Sequence, residues 1–352
     1  MAKRPNKHGG VSLHRGSGRW QARLTVDGRR VTRYAATAGE AWKLLEDLRR
    51  RAAAGLDMRA DRVTVAEYLA GWLENSAALG KVRERTLEGY AQHVRDHLTP
   101  ALGRLTLAAL STGHIQKMIS QLSAAGLTPA TVQRIHATLR VALADGERKG
   151  TIGRNPARFV ELPTVRRRPP EAMEPARAAA ILEAVKGHRL AALFVVAMFT
   201  GMRQGELLGL PWKAVDLAAG KVTVGQSLSR RRAAAATLTA PKTKRSQRTL
   251  PLPVPAVEAL RAHAERQRFE ALAAGAGWQN SAGLVFVAED GAPLESSVAL
   301  RALRRSIEAA GLPAMRFHDL RHAYATLALQ AGAGLREVME GLGHSDIGTT
   351  GN

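Results

Sequence analysis

Five side chains in the second half of the chain have types and an order that suit work on a single anion. Arg203 lies in Thr200-Gly201-Met202-Arg203-Gln204-Gly205-Glu206-Leu207, and Lys242 in Pro241-Lys242-Thr243-Lys244. His318 and Arg321 form a His-x-x-Arg unit, and His344 follows in Leu342-Gly343-His344-Ser345. Guanidinium is planar, permanently charged and able to bond a phosphate through two N–H groups at once. Lysine and histidine can move protons. The spacing of His318 and Arg321 puts them one helical turn apart, so both can point to one spot. Each residue alone has a plainer reading. An arginine at a helix start is usually a surface charge, and a lone histidine is usually structural. His322 is left to a structural role, and Glu206 is expected to orient backbone or an arginine rather than react. The basic run Lys244, Arg245 and Arg248 fits a solvated hairpin, or one laid along phosphates.

Composition narrows the partner. The 352 residues carry 52 Lys and Arg against 30 acidic residues, a formal net charge of +22 spread along the chain. A GC-rich coding bias explains arginine in place of lysine but not the shortage of acids. A polyanion, most simply nucleic acid, is the expected partner. Cysteine is absent, which excludes disulfides, thiolate metal sites and cysteine nucleophiles and suits a cytoplasmic protein. The basic stretch Met1 to Gly10 lacks the apolar core of a secretory signal. The apolar run Leu190 to Phe199 is far short of the ~20 residues that span a bilayer, so no membrane is expected.

The ordered set Arg203, Lys242, His318-x-x-Arg321, His344 resembles the tyrosine recombinases, the phage-integrase family of site-specific DNA recombinases. The resemblance runs from about residue 10 to residue 350. It implies that Arg203 and Arg321 hold the non-bridging phosphate oxygens as charge builds in the transition state. It implies that Lys242 protonates the leaving 5′ oxygen, that His318 takes or positions the nucleophile's proton, and that His344 donates to a phosphate oxygen. A tyrosine would form a 3′-phosphotyrosine and conserve the bond energy for rejoining, so neither ATP nor a metal cofactor is implied. By the family's spacing that tyrosine would fall one or two positions beyond Asn352. The tyrosines present are Tyr34, Tyr68, Tyr90 and Tyr324, and Tyr324 is expected to be packed. The chain as written is therefore expected to bind DNA and hold a phosphate without cleaving by the family's route. Double-stranded DNA and a homotetramer on paired sites are the implied partners. Assembly is expected to be weak without the segment that in the family follows the tyrosine.

These side chains need elements to position them. The expected fold class is multidomain α+β, in three parts. Residues 1–60, a small three-stranded sheet plus helix, resemble the family's arm-type DNA-binding domain. In it Trp20, Ala22, Leu24 and Val26 alternate with Arg19, Gln21, Arg23 and Thr25, the period of a half-buried strand. Asp27-Gly28 is a tight turn, Arg29 to Tyr34 the return strand and Val11 to Leu13 a third. The capping box Thr37-x-x-Glu40 starts a helix with Ala41, Leu44, Leu45 and Leu48 on one face. Arg19, Gln21, Arg23 and either Arg30 or Arg33 are left on the other face of the sheet, which could enter a major groove. The Arg- and Ala-rich stretch from about 50 to 62 is expected to continue the helix into a linker.

Residues 61–160 are expected to form a helical bundle, which resembles the family's core-binding domain. Its helices start at the capping box Thr64-x-x-Glu67, after Thr86, around Ile115 and at Thr128-Pro129. Pro100 and Gly103 punctuate the second. Thr86, Arg134 and Arg140 are candidate phosphate contacts. Gly150 to Pro170, which holds Gly153, Pro156, Pro163, Pro169, Pro170 and a basic run, is expected to be a linker. Residues 161–352 are a mostly helical catalytic domain with one small antiparallel sheet. Two other readings stand beside the recombinase. One is a DNA-binding remnant or competitor without strand transfer. The other is a type IB topoisomerase, disfavoured by the separate arm-like unit.

Overall fold

The computed structural model describes residues 9–26, 28–55, 57–58, 62–80, 82–166, 173–230, 236–239 and 247–343. The chain divides into two compact units, residues 1–167 and 168–352.

In the first unit, strands β1 (Gly10–His14), β2 (Arg19–Val26) and β3 (Arg29–Ala35) form an antiparallel sheet in that order. Helix α1 (Ala38–Ala53) covers it, burying Ala41, Leu45 and Leu48 against Ala22 and Leu24. Period-2 alternation allows this, because one strand face is small and apolar while the other is polar. The expected capping box closes α1: Thr37 Oγ1 accepts from the Glu40 amide, and Glu40 accepts from the Thr37 amide. Register decides which arginines share the polar face. Arg23 pairs with Thr32, Gln21 with Tyr34 and Thr25 with Arg30. Arg33 pairs with Ala22 and donates to Met58 O at 3.0 Å on the helix side, so of the two candidates Arg30 joins Arg19, Gln21 and Arg23. The helix does not run on past residue 53. Gly55 turns with φ +65°, and Asp57 N bonds Gly150 O at 2.8 Å.

The bundle has its own core. Helices α2 (Val65–Ala78), α3 (Glu84–His93), α4 (Thr99–Leu102), α5 (Thr112–Ala124) and α6 (Pro129–Arg148) form a bundle whose core includes Leu69, Trp72, Leu102, Ile115, Met118, Ile135, Leu139 and Leu143. Each such side chain contributes about 1.5–3 kcal/mol by leaving water. Two expectations are corrected. The helix expected after Thr86 begins at Glu84 and is not stopped by Pro100. A π-helical turn at Val94–Leu98 joins α3 to α4, and Thr99 N bonds Val94 O. That wider turn lets the helical path continue across a proline that cannot donate. The stretch after Gly150 is pinned rather than a free linker. Asn155 is fully buried and donates to Arg140 O, His136 Nε2 lies 2.7 Å from Ala157 O, and Gln133 donates to Pro163 O.

The second unit is built on α8 (Ala191–Thr200), which is apolar on all sides and buried. Around it lie α7 (Pro175–Val185), α9 (Gln204–Leu208), α10 (Val254–Ala274), α11 (Ser296–Ala309), α12 (Phe317–Gln330) and α13 (Leu335–Leu342). Strands β4 (Val215–Asp216), β5 (Lys221–Val224) and β8 (Arg248–Pro251) form one antiparallel sheet in the order β4-β5-β8. Strands β6 (Ser227–Arg230) and β7 (Ala236–Thr239) form a separate two-stranded ribbon, so there are two small sheets where one was expected. The α+β class holds across both units. No helix among the described residues is long and apolar enough to cross a membrane.

Candidate functional site

The site begins where α8 stops. Gly201 caps α8 in the left-handed region at φ +60°. A Cβ there would lie 2.4 Å from Tyr324 Cδ1 and 2.8 Å from Leu342 Cδ2, so glycine is required for both conformation and space. The chain then turns into α9, and Arg203 occupies its N-cap position. Glu206, in the first turn of α9, accepts from the Arg203 amide at 2.9 Å and from Arg203 Nη1 at 2.8 Å. Glu206 thus orients an arginine and its backbone, as the sequence reading expected.

A second arginine holds the same carboxylate. Arg248, the first residue of β8, donates from Nη2 to Glu206 Oε2 at 2.8 Å and from Nη1 to Oε1 at 3.3 Å. Both side chains are only 8% exposed. The expectation of a solvated or phosphate-lying Arg248 is therefore corrected: it is a buried arginine. Sequence held the signal for this. Arg248, Leu250 and Leu252 alternate, and Leu250 and Leu252 are core residues, so Arg248 shares the inward face of its strand.

Helix α12 brings the third arginine. Arg321 is 4% exposed and donates from Nη1 to Gly201 O and from Nη2 to Leu342 O. His318, one turn earlier, is exposed, and its ring lies 5.0 Å from that of His322, edge to face. Asp319 accepts from the Arg316 amide and fixes the start of α12. Tyr324, one turn after Arg321, is half-buried against Gly201, Leu342 and Gly341.

All three guanidinia meet the C-terminal end of α13. Arg248 Nε donates to Gly341 O at 2.7 Å, Arg321 Nη2 to Leu342 O at 2.5 Å and Arg203 Nη2 to Gly343 O at 3.3 Å. Three successive carbonyls thus receive three arginines that are far apart in sequence. A helix C-terminus leaves its last carbonyls without helical partners and carries partial negative charge, so cations are favoured there. The residue that follows Gly343 in the chain is His344.

The electrostatics follow from this crowding. Burial alone would raise the Glu206 pKa, but the hydrogen bonds and charge of Arg248, then the bonds from Arg203, outweigh it and hold the carboxyl below its usual range. Burial first, then the Arg203 charge, pull Arg321 down to about 9, while Glu206 acts to raise it. Arg321 stays charged at neutral pH. Partial desolvation, then His322 and Arg321, lower the His318 pKa, which favours a neutral ring able to accept a proton. Burial raises the Tyr324 pKa against the charges of Arg248 and Arg321, opposite to what a poised nucleophile needs. Three guanidinia cluster around one carboxylate, which Arg203 and Arg248 bond directly, so these groups carry excess positive charge.

The structure thus brings Arg203 and Arg321 together and places His318 one turn from Arg321. Lys242, His344, Lys244 and Arg245 lie outside the described residues. The other candidates are spread over the first unit. Arg19, Gln21 and Arg23 share one face of β2, where Gln21 and Arg23 both donate to Ser12 Oγ. Thr86 is exposed in the first turn of α3. Arg134 and Arg140 are both exposed on α6. Six residues of helix separate them, about 120° around the axis, so they serve different faces. The Arg134 charge reaches His93, and the Arg140 charge reaches His136.

Comparison with known proteins follows the same division. Residues 171–352 match the phage integrase family, and residues 64–123 match the phage integrase N-terminal SAM-like domain. The chain is 30% identical to a tyrosine recombinase XerC-like protein of Caldanaerobacter subterraneus, over 85% of this chain and 80% of that one. It is also 30% identical to an integrase of Streptomyces ambofaciens, over 99% of this chain and 92% of that one. Among solved structures, the Tn1549 transposon integrase in complex with transposon right end DNA shares the fold at TM-score 0.70, with 20% identity, over 82% of this chain and 93% of that one. The lambda integrase tetramer bound to a Holliday junction does so at TM-score 0.62, with 18% identity, over 98% of this chain and 97% of that one.

Proposed function

The chain belongs to the phage integrase family of tyrosine recombinases, and on that premise we propose that it binds attachment-site DNA and that the arginine cluster holds the scissile phosphate. The observation that carries this reading is the convergence of Arg203 and Arg321 on the carbonyls of Gly343 and Leu342, immediately before His344. Arg203 and Arg321 bind the non-bridging oxygens and stabilise the charge of the pentavalent transition state. A tyrosine oxygen attacks phosphorus, the bond to the 5′ oxygen breaks, and Lys242 gives that oxygen its proton. His318 takes the proton of the attacking hydroxyl, and His344 donates to a phosphate oxygen. Rejoining runs the same steps backwards, with a 5′-hydroxyl attacking the 3′-phosphotyrosine. The attacking tyrosine is not Tyr324, whose ring is packed under Gly201.

In this reading residues 1–60 are an arm-type DNA-binding domain that uses Arg19, Gln21 and Arg23. Residues 61–160 are a core-binding bundle that uses Thr86, Arg134 and Arg140, and residues 161–352 carry the catalysis. The lambda integrase precedent supports a tetramer on paired duplexes, and a cytoplasmic setting goes with DNA as substrate. A chain that binds sites without exchanging strands is the alternative, and one experiment separates the two.

The experiment selects the site from a random duplex pool, then supplies that site with a 3′-(4-nitrophenyl) phosphate at the cleavage position and an adjacent strand bearing a 5′-hydroxyl. Attack by the 5′-hydroxyl expels 4-nitrophenolate and needs the phosphate-holding cluster but no protein nucleophile. The expected result is an enriched inverted repeat and release of nitrophenolate on that repeat alone. Enrichment without release would leave only the binding reading, and no enrichment would overturn both.

A further inference from the structure

We propose that Arg248 is a positioning residue for phosphate transfer, one that sets the geometry of Arg203 and Arg321 without touching the phosphate itself. The inference rests on the function proposed above. Its observations are geometric. Arg248 bonds both oxygens of Glu206, and Glu206 bonds both the backbone and the guanidinium of Arg203. Its remaining Nε is 2.7 Å from Gly341 O, one residue before the carbonyl that receives Arg321. One planar fork therefore ties the start of α9 to the end of α13, the two places where the phosphate-holding arginines are anchored.

The position leaves little slack. A Cβ on Gly343 would lie 3.2 Å from Arg248 Nη1, so the guanidinium lies close beneath the residue that accepts from Arg203. Its side chain is 8% exposed, whereas that of Arg203 is 42% exposed. Arg203 is accessible to a ligand, while the Nε, Nη1 and Nη2 of Arg248 are all engaged by Gly341 O and Glu206. Only a guanidinium offers donors in three fixed directions at once. A lysine in its place keeps the charge beside Glu206 but cannot span two carboxylate oxygens and a carbonyl in one plane. If charge alone matters, lysine suffices; if geometry matters, it does not.

The test uses the full chain and the nitrophenyl phosphate substrate described above, with Arg248→Lys and Arg248→Gln compared by kcat and KM. Misplacement of a reacting group by about 1 Å can cost on the order of 100-fold in rate. For Arg248→Lys we expect kcat about tenfold lower with KM within about twofold, because an interaction made only in the transition state is lost while DNA binding is kept. For Arg248→Gln the expected loss in kcat is about 100-fold. A purely structural role would lower the melting temperature and the active fraction without changing kcat per folded molecule. Wild-type kcat in folded Arg248→Lys overturns the proposal, as does a rise in KM with kcat unchanged. Should Arg248→Gln fail to fold, Arg248→Lys alone decides. If the wild-type chain releases no nitrophenolate, it is the proposed function that fails, not the role of Arg248.

Discussion

Two basic regions of this molecule hold their arginines in opposite ways. On the N-terminal sheet, Arg19 is exposed and Arg23 leans on a single serine hydroxyl, Ser12 Oγ at 2.9 Å. In the second unit, Arg248 and Arg321 are buried and Arg203 is tied to Glu206, all three with backbone carbonyls as partners. The exposed set keeps its side-chain entropy and adapts to whatever surface meets it. The anchored set has given up that freedom in advance, which on the proposed function would offer a phosphate donors already held in place. Equal charge in sequence thus becomes an adaptable surface in one place and a preorganised cluster in the other.

The sharpest way to break this contrast is Arg321→Ala. It leaves Gly201 O and Leu342 O short of a partner and, on the proposed function, removes one of the two arginines that hold the phosphate. Nitrophenolate release is expected to fall about 100- to 1000-fold, with site affinity changed far less in a mobility-shift titration. Retained release would place the chemistry elsewhere. Glu206→Gln is next. It removes the carboxylate that both Arg203 and Arg248 bond, and breaking a buried pair costs about 3 kcal/mol or more, readable by denaturant titration. The pH dependence has a definite sign. The folded-state pKa of Glu206 is lowered, so its contribution to stability is full above the usual glutamate range and is lost as pH falls through the lower folded value. Glu206→Gln should flatten that acid limb.

A smaller effect tests the exposed region. Arg23→Ala is expected to weaken DNA binding across sequences and to reduce the salt slope by about one unit. Arg33→Ala should leave the slope unchanged, because Arg33 faces α1 and bonds Met58 O. Equal effects from both would refute the assignment of faces by register. The smallest effect belongs to Tyr324→Phe. Its packing against Gly201 survives, so release is expected within about twofold of the parent chain and stability within ~1 kcal/mol. A collapse of activity would make the Tyr324 hydroxyl part of the chemistry.

Local patterns made much of the fold legible in the sequence. Both capping boxes, Thr37 with Glu40 and Thr64 with Glu67, form as their spacing requires. The strand alternation from Arg19 to Val26 and the apolar faces of the bundle helices are likewise nearest-neighbour information. What was not legible depends on partners distant in sequence. Pro100 reads as a stop, yet a π turn five residues long carries the helix past it. Residues 151–163 read as a linker because glycine and proline punctuate them, but Asn155 and Ala157 find buried partners on α6. The pairing of Arg203 and Arg321 was readable only through the order of motifs. Arg248 was misread because a basic run invites a solvent-facing reading, and Glu206, which draws it inward, lies 42 residues away.

The end of α13 carries a consequence for the order in which the protein folds. The carbonyls of residues 341–343 are satisfied by side chains 21, 93 and 140 residues away in sequence. Such closures come after local helices, because the chain must lose loop entropy before these bonds can form. The three bonds to this helix end are therefore expected to close late, on the native side of the folding barrier. Arg248→Lys should then speed unfolding and leave the refolding rate nearly unchanged in stopped-flow denaturant jumps. A slowed refolding limb would instead put the cluster in the nucleus.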